Sequence, residues 1–457
     1  MLVENWKTVF AVTLLTGSTS AINLDINSES SIKNAASVVA KNTISDYNDR
    51  NSNNIPGYVA TSWAEGGVLF ESMIRYWYYT GDSSNNELIS DGMYWQRGED
   101  DYFPANYSSY LGNDDQIMWA LAAMTGAELG FPQRSSMPSW ATLAKNVFDE
   151  LIVRWDDQNC NGGMRWQIWP FEAGYTTKNA ITNGGLFELA ARLARYTNNQ
   201  TYSDWAEKVW DWSSTTPLLE TADWKIADST TCETKCTDHG DWHWSWNYGV
   251  YMTGAAYMYN ITDGKGKWKT GLDGLLNSSS QFFPDHGYNN ADGKVMVEIT
   301  CEAVETCNKI QQYMKGTFLQ DLAMISVVAP YTSSGILPLL KGTATAAAQG
   351  CTGGKDDTRC SGRWYIKAYD GDDSMANQIS ALSLFTSNLV AFNSNTPFTQ
   401  STASNTTTGS VTSSGSENST SSGTVTATTT GNNAASVLVG APVSITAAMF
   451  SALLHFF

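Results

Sequence analysis

An all-α domain is what the sequence predicts for residues 22–398, on three observations. Apolar residues recur at helical spacing in about a dozen separate stretches. Alternating strand patterns are scarce, Val295-Met296-Val297 being a short exception. No linker interrupts the segment, and no repeat of fixed period runs through it as an open helical solenoid would require. About twelve amphipathic helices in one domain suit six helical hairpins closed into a ring, the (α/α)6 toroid, with an irregular bundle as the remaining alternative. In such a ring the functional groove lies at the ends of the inner helices and is lined by loops.

The helical stretches run near 31–50, 62–80, 85–97, 113–130, 138–155, 179–197, 201–217, 244–261, 265–281, 309–329, 333–349 and 373–392. Gly, Asn, Asp and Pro mark the breaks, as after Gly81, Gly130 and Tyr331. The segment is long enough to bury a sizeable core as one domain.

Both ends read as processing signals. Val9 to Leu15 is an apolar run behind Lys7, too short to span a bilayer, and Thr19-Ser20-Ala21 supplies small residues for cleavage. Residues 1–21 are therefore expected to be a secretory signal peptide. At the other end, Val443 to Phe457 is apolar and no charge follows it, the pattern of a GPI-attachment signal. Asn433-Ala434-Ala435 is the preferred cleavage trio, with Gly431-Asn432-Asn433 close behind; the first makes 434–457 a propeptide and Asn433 the anchor site. Residues 399–433 are almost entirely Ser, Thr, Gly, Asn and Ala, a composition that cannot bury enough apolar surface to fold and that suits an O-glycosylated stalk. Sequons at Asn106, Asn199, Asn260, Asn277, Asn405 and Asn418 agree with a secretory route. The expected location is the cell surface, with the anchor as the only tie to the membrane.

A net charge of −18 argues against nucleic acid, whose phosphates need a basic face. Seven cysteines are too few for a disulfide scaffold, but local staples are expected for Cys232/Cys236, Cys301/Cys307 and Cys351/Cys360, leaving Cys160 over. Their spacing does not supply a zinc site, so no metal and no cofactor are expected. Asp157, Asn159, Asn161 and Gly162 match half of an EF-hand loop, but Ile168 stands where its closing Glu belongs, and the segment reads as a turn.

The 18 Trp, 21 Tyr and 16 Phe point toward sugar, because a flat ring with a polar edge suits a sugar's apolar face. Most such rings serve cores. The run Trp242-His243-Trp244-Ser245-Trp246-Asn247-Tyr248 is harder to bury wholesale. Among adjacent acidic pairs, Asp114-Asp115 opens a strongly helical stretch, Gly112-Asn113-Asp114-Asp115-Gln116-Ile117. Asn113 or Asp114 is expected to cap that helix, with Asn113 and Gln116 at capping-box spacing, while Asp115 points elsewhere. Cap and catalyst are compatible roles. Glycosidic cleavage needs two carboxyl groups, one ionised and one protonated, which a retaining enzyme holds about 5–5.5 Å apart. At a helix start, the dipole favours one charge, and repulsion with apolar neighbours raises the pKa of the other carboxyl. The pairs at Asp100, Asp156, Asp356 and Asp372 compete, the last expected to cap the final helix.

The run N-D-D-Q-x-x-W at 113–119, with Glu128 behind it, resembles the signature of glycoside hydrolase family 76, the α-1,6-mannanases. The segments N-C-N-G-G-M-R-W-Q (159–167), T-N-G-G-L-F-E-L-A-A-R-L-A-R-Y-T (182–197), W-N-Y-G (246–249) and D-D-S-M-A-N-Q-I-S-A-L-S (372–383) are similar to further family segments. The likeness spans nearly all of residues 22–398 and, with the anchor signal, matches the fungal cell-wall group. It implies an (α/α)6 toroid and retaining endo-cleavage of α-1,6-mannosidic bonds, with Asp114 as nucleophile and Asp115 as acid/base. It also implies that Asp228 grips the sugar, although Ser229 stands where the family has Gly, and that Trp166, Trp246, Asn247 and Tyr248 line the substrate site. For anchored members it implies transglycosylation in wall biogenesis, with a GPI-core glycan or α-1,6-mannan as donor, β-glucan as acceptor and a monomeric enzyme. A non-catalytic mannan-binding surface protein and another toroidal hydrolase, such as a glucanase, are the alternatives.

Overall fold

The computed structural model describes residues 22–51, 54–264, 266–288 and 292–403; the expected signal peptide, most of the stalk, the anchor signal, Asn405, Asn418 and Asn433 lie outside them. Twelve α-helices are present among the described residues: α1 Glu29–Arg50, α2 Trp63–Thr80, α3 Asn86–Trp95, α4 Asn113–Leu129, α5 Trp140–Val153, α6 Ala180–Thr197, α7 Gln200–Ser214, α8 Ser245–Ile261, α9 Gly266–Ser278, α10 Lys309–Val328, α11 Ser333–Gln349 and α12 Met375–Ser387. Each coincides with a stretch of helical periodicity. Local chemistry sets their limits: Ser28, Ser139, Asn199, Asn308 and Ser374 accept a backbone N–H at the first turn of α1, α5, α7, α10 and α12. Gly81, Gly130 and Asn198 turn left-handed to end α2, α4 and α6.

Even-numbered helices pack against one another in the order α2, α4, α6, α8, α10, α12, and α12 returns to α2. The ring is closed, and α1, α3, α5, α7, α9 and α11 pack around it. That is the (α/α)6 toroid. Inner helices are buried on nearly every face, so their sequences are apolar or small all round. The polar groups they carry inward pair with each other. Arg192 of α6 donates to Glu128 of α4 and to Glu188, and Arg75 donates to Glu71 on α2. Burial pushes Glu71 up, but Arg75 and Arg192 more than offset it and hold it below the usual range. Glu188 rises to about 7, burial outweighing Arg192. No single helix among the described residues is long and apolar enough to cross a membrane.

Strands are few. Strand β1 (Thr177–Asn179) pairs antiparallel with β4 (Ser229–Thr231), and β2 (Leu219–Glu220) with β3 (Lys225–Ile226). The expected strand at Val295–Val297 does not form; the segment is a buried loop whose N–H groups donate to Phe282 O and Thr343 Oγ1. Ser374 caps α12 where the Asp372 pair was expected, because Asp373 is drawn to Arg359 and Asp372 accepts the Ser374 N–H from outside the helix.

Two disulfides are as expected, Cys301–Cys307 and Cys351–Cys360. The third is a correction. Cys236 bonds Cys160, 76 residues away, and Cys232 keeps a free thiol. The pairing of β1 with β4 brings the 160 loop against the 236 loop, an approach that spacing along the chain cannot reveal.

Candidate active site

The starts of the inner helices meet at one end of the ring. Tyr313, in the second turn of α10, is fully buried. Burial raises its hydroxyl pKa, and the charges of Glu65 at the start of α2 and Asp115 and Asp114 at the start of α4 push it higher still. Its ring lies 6.3 Å from that of Trp246 in the first turn of α8. Ser374, the cap of α12, donates to Gln312 of α10. The backbone carbonyl of Asp228 accepts the N–H of Ala180, where α6 begins.

Asp114 and Asp115 sit on this floor, each partly exposed. The cap of α4 is Gly112, where Asn113 or Asp114 was expected. Asp115 serves the cap by accepting the Gly112 N–H at 2.7 Å, so the carboxylate expected to point away closes the helix end. Asn113 is spent elsewhere, donating to Arg165 O and accepting from Arg154. Trp166 reaches this end because its chain lies beside Gly112, its carbonyl accepting the Asn113 N–H and its own N–H donating to Thr177 O. The Trp166 indole then donates to Asp114. A Cβ at Gly112 would stand 2.4 Å from Asp114 Oδ1, so glycine there leaves the carboxylate its room.

Burial, and then the charge of Asp115, lift Asp114 well above the ordinary carboxyl range. Burial lifts Asp115 to about 6 against the pull of the Gly112 N–H. Two carboxyls so placed resist ionising together, because the charge on one raises the pKa of the other. Donors are divided unevenly. Asp114 has the Trp166 indole and the Asp115 N–H at 3.1 Å; Asp115 has the Gly112 N–H. Shifts and donors point opposite ways: the stronger upward push falls on Asp114, so burial and charge leave Asp115 the readier to ionise, whereas the larger number of donors favours the anion on Asp114.

Of the other expected site residues, Asp228 lies beside Asn247; burial raises its carboxyl, and Asn247 and Ser229 draw it back. The indole nitrogen of Trp246 is buried without a hydrogen-bonding partner, and Asn247 is wholly buried with its side chain against Asp228. Tyr248 is a correction. It is wholly buried, and its hydroxyl accepts from Ile226 N and Gln281, because one residue further along α8 is a turn of about 100° away from the groove. Glu65 was missed. It is 1 % exposed, burial lifts it to about 7, and its Oε2 has no partner. Its place in the first turn of an inner helix, like that of Asp115, is the signal that marks it. Glu128, by contrast, belongs to the buried ion network.

The rim is aromatic: Tyr110 and Trp242 are each more than half exposed, and Phe171 stacks on Trp169 at 6.1 Å. Asn106, Asn199 and Asn277 are exposed, whereas both amide atoms of Asn260 are engaged, with Arg195 and Val328. The 156–162 segment is a turn, with Asp156 held by Arg165 and Lys178.

A closed helical toroid with two adjacent carboxyls, both raised by burial, at the mouth of its inner ring defines a carbohydrate-active class of protein. The model of glycosyl hydrolase family 76 matches residues 31–401, and the chain belongs to that family. It is 36% identical over 404 residues to the mannan endo-1,6-alpha-mannosidase DCW1 of Saccharomyces cerevisiae, covering 87% of this chain and 88% of that one. A mannan endo-1,6-alpha-mannosidase DFG5 of the same yeast is 35% identical over 380 residues, 81% of each chain. Among solved structures, Dfg5 from Chaetomium thermophilum in complex with glucosamine superimposes with a TM-score of 0.77 at 35% identity, over 83% of this chain and 94% of that one. An inactive variant of the α-1,6-mannanase of Salegentibacter, bound to α-1,6-mannotriose, shares the fold at 16% identity, with a TM-score of 0.61 over 79% of this chain and 99% of that one.

Proposed function

We propose that this chain is a retaining, endo-acting glycosidase of α-1,6-mannosidic bonds, with Asp114 as nucleophile and Asp115 as acid/base. The observation that carries the reading is the pair of adjacent carboxyls at the start of α4, both raised by burial at the mouth of the inner ring. Asp114, with its two N–H donors, attacks the anomeric carbon as Asp115 protonates the departing oxygen. Asp115, now ionised, then takes a proton from the group that opens the glycosyl-enzyme. Water gives hydrolysis; a sugar hydroxyl gives transfer. Asp228, Asn247, Trp246 and Trp166 hold the sugar in the reactive subsite.

The relatives' names support α-1,6-mannan as substrate. A GPI-core glycan as donor, β-glucan as acceptor, a monomeric enzyme and a GPI-anchored place at the cell surface complete the reading, the last on the terminal patterns of the sequence. Phospholipase C release of the full-length protein from intact cells tests the anchor, and retention on the cells counts against it.

Azide separates the two aspartates. With an activated mannosyl donor, Asp115→Ala is expected to be rescued by azide with retained anomeric configuration, and Asp114→Ala with inverted configuration. On α-1,6-mannotriose each variant should lose more than about 100-fold. Folded variants with full activity would sink the reading, and tight mannan binding without turnover by the unaltered chain would make it a binding protein.

A further inference from the structure

We propose that the Lys178 ammonium is the built-in cation of the 156–162 loop and that, by folding this loop around itself, it positions Trp166 against Asp114. The inference deepens the glycosidase reading, on which its kinetic test rests, by assigning a wholly buried positioning residue to it.

Asp157, Asn159, Asn161 and Gly162 have the spacing of a calcium loop, in which side-chain oxygens converge on the ion. Here Asp157 instead accepts the Trp155 indole N–H at 2.8 Å, and Asn159 donates to Asp156. Main-chain oxygens converge in their place. Lys178, on β1, donates from Nζ to Asn159 O at 2.7 Å, to Asp156 O at 3.3 Å and to Gly162 O, with the Asp156 carboxylate at 3.4 Å. An ammonium has three hydrogens and accepts nothing, so three carbonyls use it fully and the carboxylate balances its charge. Gly162 has φ +134°, and a Cβ there would stand 2.9 Å from the rings of Trp155 and Trp212; glycine lets its carbonyl face the cation.

Burial pushes the Lys178 ammonium below the ordinary lysine range, and the Asp156 carboxylate pulls it back. Contacts run from this loop to the catalytic pair. Asp156 holds Arg165 at 2.9 Å, and its N–H donates to Gly163 O. Arg165 O and Trp166 O accept from Asn113, and the Trp166 indole donates to Asp114. Without the cation, three buried carbonyls lose their common donor, and the chain leading to Trp166 loses the fold that aims it.

Lys178→Ala removes the ammonium and leaves room for a small cation. On α-1,6-mannotriose, kcat should fall by about tenfold or more while KM stays within about threefold. The acidic limb of the kcat/KM profile should move to higher pH, because a displaced Trp166 no longer supports the Asp114 anion. Ammonium chloride should then raise kcat by about tenfold, whereas tetramethylammonium chloride, which carries the charge without an N–H, should not. An unmoved limb, a loss that neither salt restores, or restoration by both overturns the proposal.

Should the variant not fold, or should the unaltered chain cleave no mannoside (in which case the glycosidase reading has failed), heteronuclear NMR decides the positioning role alone. Asp156, Arg165 and Cys232 are the charged or titratable groups that face the ammonium, so Cys232→Ser leaves Lys178 to titrate there in alkali. In that chain, raising the pH through the Lys178 titration should shift the Trp166 indole resonance in step. A Trp166 resonance indifferent to that titration, or a Lys178 amine that titrates in the ordinary lysine range, overturns it.

Discussion

Cys160 is bonded to Cys236 across 76 residues, so one covalent link ties the loop that leads to Trp166 to the loop that follows Asp228. Trp166 lies beside Asp114 and Asp228 beside the start of α6, and their relative position depends on that link. Closing a loop of this length is worth about 4 kcal/mol in the chain-entropy account. Cys160→Ser and Cys236→Ser should each cost about that much in denaturant unfolding, while Cys232→Ser should stay within about 0.5 kcal/mol. Alkylation of the folded protein should label Cys232 alone. Labelling of Cys160 would restore the local pairing expected from spacing.

The rate should depend on pH as a bell. Asp114 must be ionised, so activity falls as acid protonates the pair fully, and because burial lifts both carboxyls that limb lies above the ordinary carboxyl range. Asp115 must be protonated, so activity falls again as pH rises through the second ionisation, which the first charge pushes upward. Trp166→Phe removes a donor from the anion and should move the acidic limb to higher pH, read from kcat/KM profiles. A limb near pH 4 in the unaltered enzyme would contradict that lift.

Gly112→Ala should damage catalysis more than stability. Its Cβ would stand 2.4 Å from Asp114 Oδ1, so the carboxylate must swing away from the Trp166 indole. A displacement of about 1 Å costs on the order of 100-fold in rate, and kcat should fall by that order with little change in melting temperature. Normal kcat would show that the carboxylate has slack.

Arg192 donates from Nε and Nη2 to Glu128 at 3.0 and 2.8 Å, with both side chains sealed from water. Glu128→Ala leaves that guanidinium with only Glu188 and Thr125, and should cost about 3–5 kcal/mol in urea unfolding. A loss below about 1 kcal/mol would mean that water or Tyr257 takes over, and would remove the network from the account of ring stability.

Alone, the sequence determined the twelve helices, because helical periodicity and caps are written within a few residues of each other. Likewise the adjacency of Asp114 and Asp115 at a helix start needs no distant partner to be seen. Tertiary structure decided the rest. It closed α12 onto α2, and ring closure is a contact between residues far apart in the chain. It gave Cys236 to Cys160, turned Tyr248 into the core, and brought Glu65 and Tyr313 to the groove floor from separate helices. It also decided how the aspartates are perturbed: burial and the charge of Asp115 raise Asp114, and a tryptophan 52 residues away (166 against 114) draws it back, a partner that only the folded ring sets beside it.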